Sequence, residues 1–343
     1  MPAEPNRPIH IAQHDLSESV MIIAEVGNNH EGDVEVAREM VIAAADAGAD
    51  AVKFQTIEPS RLVAADQPAR LEQLGRFELS RAEFESLAAT AREKDVLFLS
   101  TPFHLPAVEW LDPIVPAFKI ASGDCTYTRL LETVAQTGKP ILLSTGAATL
   151  DEVRTAQQTI AAVHAANGVD PGVVILHCVV SYPTEEADAN LSAIADLATL
   201  GAMVGYSDHT AGPDAAVLSV ALGARVIEKH FTLDKAYSDF RDHALSADPD
   251  DLKSLVHRVR QAEILIGTGG KRVLPVETEV RTAVRRSVHA LRDIAAGSIL
   301  SADDTVCLRP AEGTAPAEEP SLIGRRATQA IAAGAPIDES ALD

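Results

Sequence analysis

Met21-Ile22-Ile23-Ala24-Glu25 is a run of four apolar residues closed by a carboxylate and followed, after Val26, by the turn residues Gly27 and Asn28, which reads as a short buried strand. The same device returns at Ala51 to Lys53, Leu97 to Ser100, Ala117 to Lys119, Pro140 to Ser144, Val173 to His177, Ala202 to Ser207 and Arg225 to His230. Helical stretches separate the runs, and repeated strand-helix units of this number predict an α/β fold, a closed (β/α)8 TIM barrel. In such a barrel the ends of the strands form the catalytic face, so the polar residue closing each run is expected in a common mouth.

Working outward, the loop Gly27 to Gly32 leads into an amphipathic helix from about Val34 to Ala47, stopped by Gly48. Ser80-Arg81-Ala82-Glu83 and Thr149-Leu150-Asp151-Glu152 have capping-box spacing, so helices start before the third strand and after the fifth. Gly267-Thr268-Gly269-Gly270-Lys271 breaks the last barrel helix. From Ser287 the runs shorten and alternate with turn pairs such as Ala296-Gly297 and Ala333-Gly334, the pattern of a small β-rich module. The expected organisation is a polar tail (1–18), a barrel (19–267), a linker (268–282) and the small domain (283–343).

Lys and Arg number 29 against 50 Asp and Glu, and the net charge of -21 repels phosphate backbones and anionic lipid surfaces. Nucleic acid and membrane are therefore poor partners. Three cysteines without a CxxC pair point to neither a disulfide framework nor a zinc knuckle, and fit a reducing cytoplasm. The proline-bearing start of the chain lacks an apolar signal core, and no run approaches the roughly 18 residues of a membrane span.

His209 and His230 close the seventh and eighth strands, neighbours in a barrel, where two imidazoles with water and a carboxylate such as Glu25 or Asp242 suit a divalent metal. Lys53 and Lys119 close two other strands, and with Thr101, Ser122, Ser144 and Ser207 they make a cationic, hydroxyl-rich pocket for a phosphate and a carboxylate. A Schiff-base lysine is the competing chemistry. His30 divides evenly between catalysis and fixing its loop, and His177 is expected to orient Tyr182 or the barrel rim. Cys125 and Cys178 lack a basic partner in the sequence and read as small buried residues.

Ile22 to Gly32, Asp50 to Thr56, Ser100 to Phe103, Lys119 to Asp124, Ser181 to Thr184, Ser207 to Thr210 and Glu228 to Thr232 resemble the sialic acid synthase family. That family condenses phosphoenolpyruvate with N-acetylmannosamine or related amino sugars. Arg286 to Val288, Leu308 to Pro310 and Ala332 to Ile337 resemble its antifreeze-like (SAF) domain. The resemblance implies His209 and His230 as ligands of Mn²⁺, with Mg²⁺ or Co²⁺ as alternatives. It implies phosphoenolpyruvate contacts from Lys53, Thr101, Lys119, Ser122 and Ser207. Glu25, Gln55, Tyr182 and Asp242 fall near the metal or the sugar, Asp124 near the attacked carbon, and Arg309 reaches the neighbour's barrel in a domain-swapped homodimer.

Two departures bear on substrate. Val180 stands where the family often has Asn or Ser holding phosphoenolpyruvate, a contact that is either altered or rebuilt by Ser181. Lys235 to His243 replaces a Pro-Gly-Pro type loop beside the sugar, so the acceptor is either N-acetylmannosamine or another aldose, such as a legionaminic or pseudaminic precursor. A catalytically retired sugar-binding protein is the reading from outside enzymes.

Overall fold

The computed structural model describes residues 8–343 and divides into two compact units, up to Gly267 and from Thr268. In the first, a hairpin of β1 (His10–Ile11) and β2 (His14–Asp15) precedes eight parallel strands. These are β3 (Met21–Gly27), β4 (Ala51–Thr56), β5 (Leu97–Pro102), β6 (Phe118–Ile120), β7 (Ile141–Ser144), β8 (Val173–Cys178), β9 (Met203–Asp208) and β10 (Val226–His230). Each predicted run is a strand. The ladder follows the order β5-β4-β3-β10-β9-β8-β7-β6, so the barrel is nearly closed, with no ladder across the β5/β6 seam. The chemistry there explains the seam: Pro116 just before the three-residue β6 and Pro102 ending β5 have no N–H to donate.

Both capping boxes form: the Glu83 and Glu152 carboxylates accept from the backbone N–H of Ser80 (2.6 Å) and Thr149 (2.7 Å). The helix Val34–Asp46 ends before Gly48, which takes φ 92°, a conformation closed to most side chains.

Residues 8–18 are no loose tail. Ile11 and Leu16 are fully buried and join Met21, Ile23, Leu99, Leu142, Val174 and Met203 in the barrel's interior cluster. The hairpin plugs the end of the barrel where the strands begin, each such side chain contributing about 1.5–3 kcal/mol of burial. The expectation for residues 1–7 lies outside the described residues. The expected linker also holds order, since Thr278–Val284 is a short helix.

In the second unit β11 (Ser287–Ala290) pairs antiparallel with β12 (Thr305–Leu308) around a core that includes Val288, Leu300, Leu322 and Ile337. Among the described residues no helix is long and apolar enough to cross a membrane.

Candidate active site

Side chains alternate along a strand, and that period decides which polar groups meet. Met21 and Ile23 face the barrel interior, whereas Ile22, Ala24 and Val26 belong to the layer between sheet and helices. Continuing the inward phase beyond the apolar layer gives Glu25 on β3, Lys53 and Gln55 on β4, Thr101 on β5 and Lys119 on β6. The later strands add Ser144, Cys178, Ser207, and both Glu228 and His230. All of them line one cavity of about 990 Å³, together with Ser122, Tyr182, His209 and Asp242.

Four buried charges form its floor. Lys53 Nζ lies 2.6 Å from Glu25 Oε2 and 3.8 Å from Glu228 Oε2, and donates to Thr101 Oγ1 at 3.1 Å. Lys119 Nζ lies 3.5 Å from Glu228 Oε1, which also accepts from Ser207 Oγ at 2.9 Å. Burial opposes the charge on Glu228, but Lys119 and Lys53 outweigh it and hold this carboxyl down at about 2. Lys53 is likewise raised, because Glu228 and Glu25 overcome its desolvation. Desolvation wins at Lys119, whose pKa falls, and at Glu25, whose pKa rises despite Lys53.

Glu228 is the residue the sequence reading passed over. Its signal was available: it precedes His230 by two, so both point inward from β10. The same period corrects two expectations. Ser100 and His177 end their predicted runs but face outward; Ser100 Oγ pairs with Thr56 Oγ1 at 2.7 Å. His177 Nε2 bonds the Ala189 carbonyl at 2.8 Å and its ring stacks on Tyr206, so it does not orient Tyr182. Thr101 and Cys178 take the inward places. Cys178 does have basic neighbours, with Sγ 3.8 Å from His209 Nδ1 and Lys119 nearby, contrary to the expectation of none.

His209 and His230 come together with ring centroids 5.3 Å apart. His209 Nδ1 lies 2.7 Å from the Val179 carbonyl, which can only accept, so Nδ1 carries a hydrogen and Nε2 is the nitrogen left for a ligand; burial opposes charge on this ring, but Cys178 and the carbonyl outweigh it and raise its pKa. Burial and the neighbouring His209 hold His230 uncharged, well below the ordinary imidazole range, and its Nδ1 is buried without a partner. Two imidazoles, one oriented by a backbone carbonyl and one held uncharged with an unsatisfied nitrogen, fit a borderline divalent ion. Among the described residues no third His, Cys, Asp or Glu completes a cluster, so water or substrate would fill the remaining positions. Glu25 is already engaged by Lys53 and by Gln55 Nε2 at 2.9 Å.

Towards the opening, the Tyr182 ring rests 4.2 Å from that of His209, and Asp242 accepts from Arg241 Nε at 3.2 Å. Ser122 Oγ accepts from the Gly146 N–H at 3.0 Å. A side chain at Gly146 would collide with Val180 Cγ2 at 2.5 Å, so glycine leaves room for this valine. Val180 lines the cavity, but Ser181 donates to the Pro183 carbonyl at 3.0 Å and does not replace the missing polar contact.

Asp124 and Arg309 stand apart from this group. Asp124 ends the short turn Ser122–Asp124 outside the cavity lining; burial raises it to about 6 and leaves Oδ2 without a partner. Arg309 belongs to the second unit, before a cis proline. His30 fixes its loop, its Nδ1 accepting from the Gly32 N–H at 3.0 Å, and it does not line the cavity.

The cavity thus joins a paired-lysine floor able to take a small polyanion to a two-imidazole wall able to take a divalent ion. Comparison with known proteins extends this. Residues 40–271 match the NeuB family and residues 285–343 the SAF domain. The chain is 44% identical over 298 residues to an uncharacterised protein of Methanocaldococcus jannaschii, covering 86% of each. It is 38% identical over 345 residues to the N,N'-diacetyllegionaminic acid synthase of Legionella pneumophila, covering 96% of each. Among solved structures, the N-acetylneuraminic acid (sialic acid) synthetase of Leptospira borgpetersenii in complex with citrate superimposes with a TM-score of 0.76 at 35% identity. The match covers 80% of this chain and 95% of that one.

Proposed function

The chain belongs to the NeuB family, and from that premise we propose that it is an N-acetylneuraminate synthase-like transferase. It would join phosphoenolpyruvate to an open-chain aldose of the N-acetylmannosamine type, giving a sialic-acid-type keto acid and phosphate. One observation carries this reading: two buried lysines and two adjacent imidazoles share one cavity. A 2,4-diacetamido-trideoxy aldose is the second reading, favoured by the Legionella relative and by the loop before His243.

Lys53 and Lys119, with the hydroxyls of Thr101, Ser122 and Ser207, hold the phosphate and carboxylate of phosphoenolpyruvate. Their low-dielectric setting strengthens that grip, and the enclosure limits loss of phosphoenolpyruvate to water. Phosphoenolpyruvate C3 then forms a bond to the aldehyde carbon, water adds at C2, and phosphate leaves with its bridging oxygen. Asp124, which lies outside the cavity lining and whose carboxyl burial raises to about 6, is the group this reading assigns to take the proton of that water. Glu25 and Gln55 hold Lys53 in position, while Tyr182 and Asp242 meet the acceptor. A divalent ion on His209 and His230, Mn²⁺ before Mg²⁺ or Co²⁺, would supply Lewis-acid polarisation of the aldehyde oxygen.

The reading includes a cytoplasmic, domain-swapped homodimer in which Arg309 of one chain completes the acceptor end of the other. The test is phosphate release from phosphoenolpyruvate by the purified chain with Mn²⁺ and a panel of aldoses. The expected result is release that requires an aldose, matches its consumption, and yields a product of the summed mass of pyruvate and aldose. Release without any aldose, or borohydride trapping of pyruvate on Lys119, would replace this reading.

A further inference from the structure

We infer that Arg241 is the positioning residue of the acceptor end, fastening Tyr182 from the loop after β8 to Asp242 from the loop after β10. The inference rests on the proposed condensation and goes beyond it, since it concerns a residue that takes no part in gripping phosphoenolpyruvate.

The Arg241 guanidinium carbon stands 5.2 Å from the centre of the Tyr182 ring, the geometry of a cation over an aromatic face. Its Nε donates to Asp242 Oδ1 at 3.2 Å, the guanidinium's one hydrogen bond among the described residues. The Tyr182 ring in turn lies 4.2 Å from His209 and 6.0 Å from His230. One side chain therefore ties together the two groups that border the imidazole wall from different strands. Asp242 is mostly buried, at 16% exposure, whereas Arg241 is 67% exposed, so the guanidinium offers its remaining N–H donors to whatever enters.

The backbone on both sides of Arg241 is held independently. Phe240 packs on Phe77 with ring centres 4.9 Å apart. His243 is fully buried, its Nε2 3.0 Å from Glu31 Oε1 and its Nδ1 2.7 Å from Thr232 Oγ1. Shortening or neutralising the Arg241 side chain should thus free Tyr182 and Asp242 without unmaking the loop. The lysine floor makes no contact with Arg241, so the two substrates should respond differently.

The test compares Arg241→Met and Arg241→Lys in the full chain with Mn²⁺, phosphoenolpyruvate and, in turn, N-acetylmannosamine and the 2,4-diacetamido-trideoxy aldose. Loss of one charge-assisted hydrogen bond and one cation-aromatic contact is expected to raise the acceptor KM of the Met variant about tenfold. The KM for phosphoenolpyruvate should stay within about twofold, and lysine, which keeps the cation, should recover most of the loss. Adding Asp242→Asn to Arg241→Met should cost less than the two single changes summed, as expected of groups acting as a unit. An acceptor KM unmoved in the Met variant, both KM values rising together, or no rescue by lysine overturns the assignment while aldose-dependent release in the wild type keeps the condensation. Absence of aldose-dependent release in the wild type removes the condensation itself and this assignment with it. If the Met variant fails to fold, Arg241→Gln, which also removes the cation, takes its place in the KM comparison and in the coupling with Asp242→Asn.

Discussion

β9 and β10 each carry buried polar groups on both faces, and the two faces are built differently. Facing outward, Lys229 Nζ meets Asp208 Oδ2 at 2.8 Å and the Thr210 carbonyl, while Asp208 Oδ1 accepts from the Thr210 N–H and hydroxyl at 2.8 Å. That network is closed, and none of its residues lines the cavity. Facing inward on the same strands, Ser207, Glu228 and His230 leave Glu228 Oε2 and His230 Nδ1 without hydrogen-bond partners, and Ser144 Oγ on β7 is likewise unpaired. An unpaired buried polar atom costs about 1–3 kcal/mol, and three such atoms on the cavity wall give an entering ligand polar groups to satisfy. On β9 and β10, where burial is the same on both faces, hydrogen-bond satisfaction distinguishes the outward network from the inward cavity wall.

The contrast can be broken most forcefully on the outward face. Lys229→Met strands the Asp208 carboxylate among helices and should cost about 3–5 kcal/mol of unfolding free energy. Denaturant titration checks this, and adding Asp208→Asn, which keeps the Thr210 bonds but removes the charge, should recover most of it. On the inward face Lys119→Ala should do the reverse. Glu228 keeps Ser207 and Lys53, so stability should change little, while turnover falls about a hundred- to a thousandfold through the lost electrostatic contact.

Smaller changes sharpen the picture. Val180→Ser restores a donor beside Ser122 and should lower the KM for phosphoenolpyruvate about tenfold, the worth of one hydrogen bond to a charged ligand. An unchanged value would mean that the lysines and hydroxyls already saturate the phosphate. Smallest is the pH effect at Asp124, whose pKa burial raises to about 6. Below that pH the carboxyl holds its proton and cannot accept another, so turnover should climb as pH rises through about 6 and level off above it. In Asp124→Asn the limb should vanish, with lower turnover throughout; persistence of the limb assigns it to another group.

The strands were legible because short apolar runs bounded by turn residues and alternating with helical stretches have few other outcomes, and the capping boxes because their chemistry is local. The site was half legible. Ends of runs pointed to Lys53, Lys119, Ser207 and His230, but the final polar residue of a run need not face inward, and so Ser100 and His177 were drawn in while Glu228 was missed. Counting in twos from the apolar interior layer separates them; the sequence alone does not say which alternate residue is interior. The burial of Ile11 and Leu16 was hidden for another reason, since the surrounding residues are polar and the barrel floor they fill is assembled from eight distant segments.

Phosphoenolpyruvate binding, measured by calorimetry in the presence of Mn²⁺, tests the division of the two faces most directly. The wild type and the outward pair Asp208→Asn with Lys229→Met should bind within about threefold of one another, and Lys119→Ala should bind about a hundredfold more weakly. Wild-type affinity in Lys119→Ala, or a loss in the outward pair as large as the one expected there, would contradict the assignment of the inward face as the site.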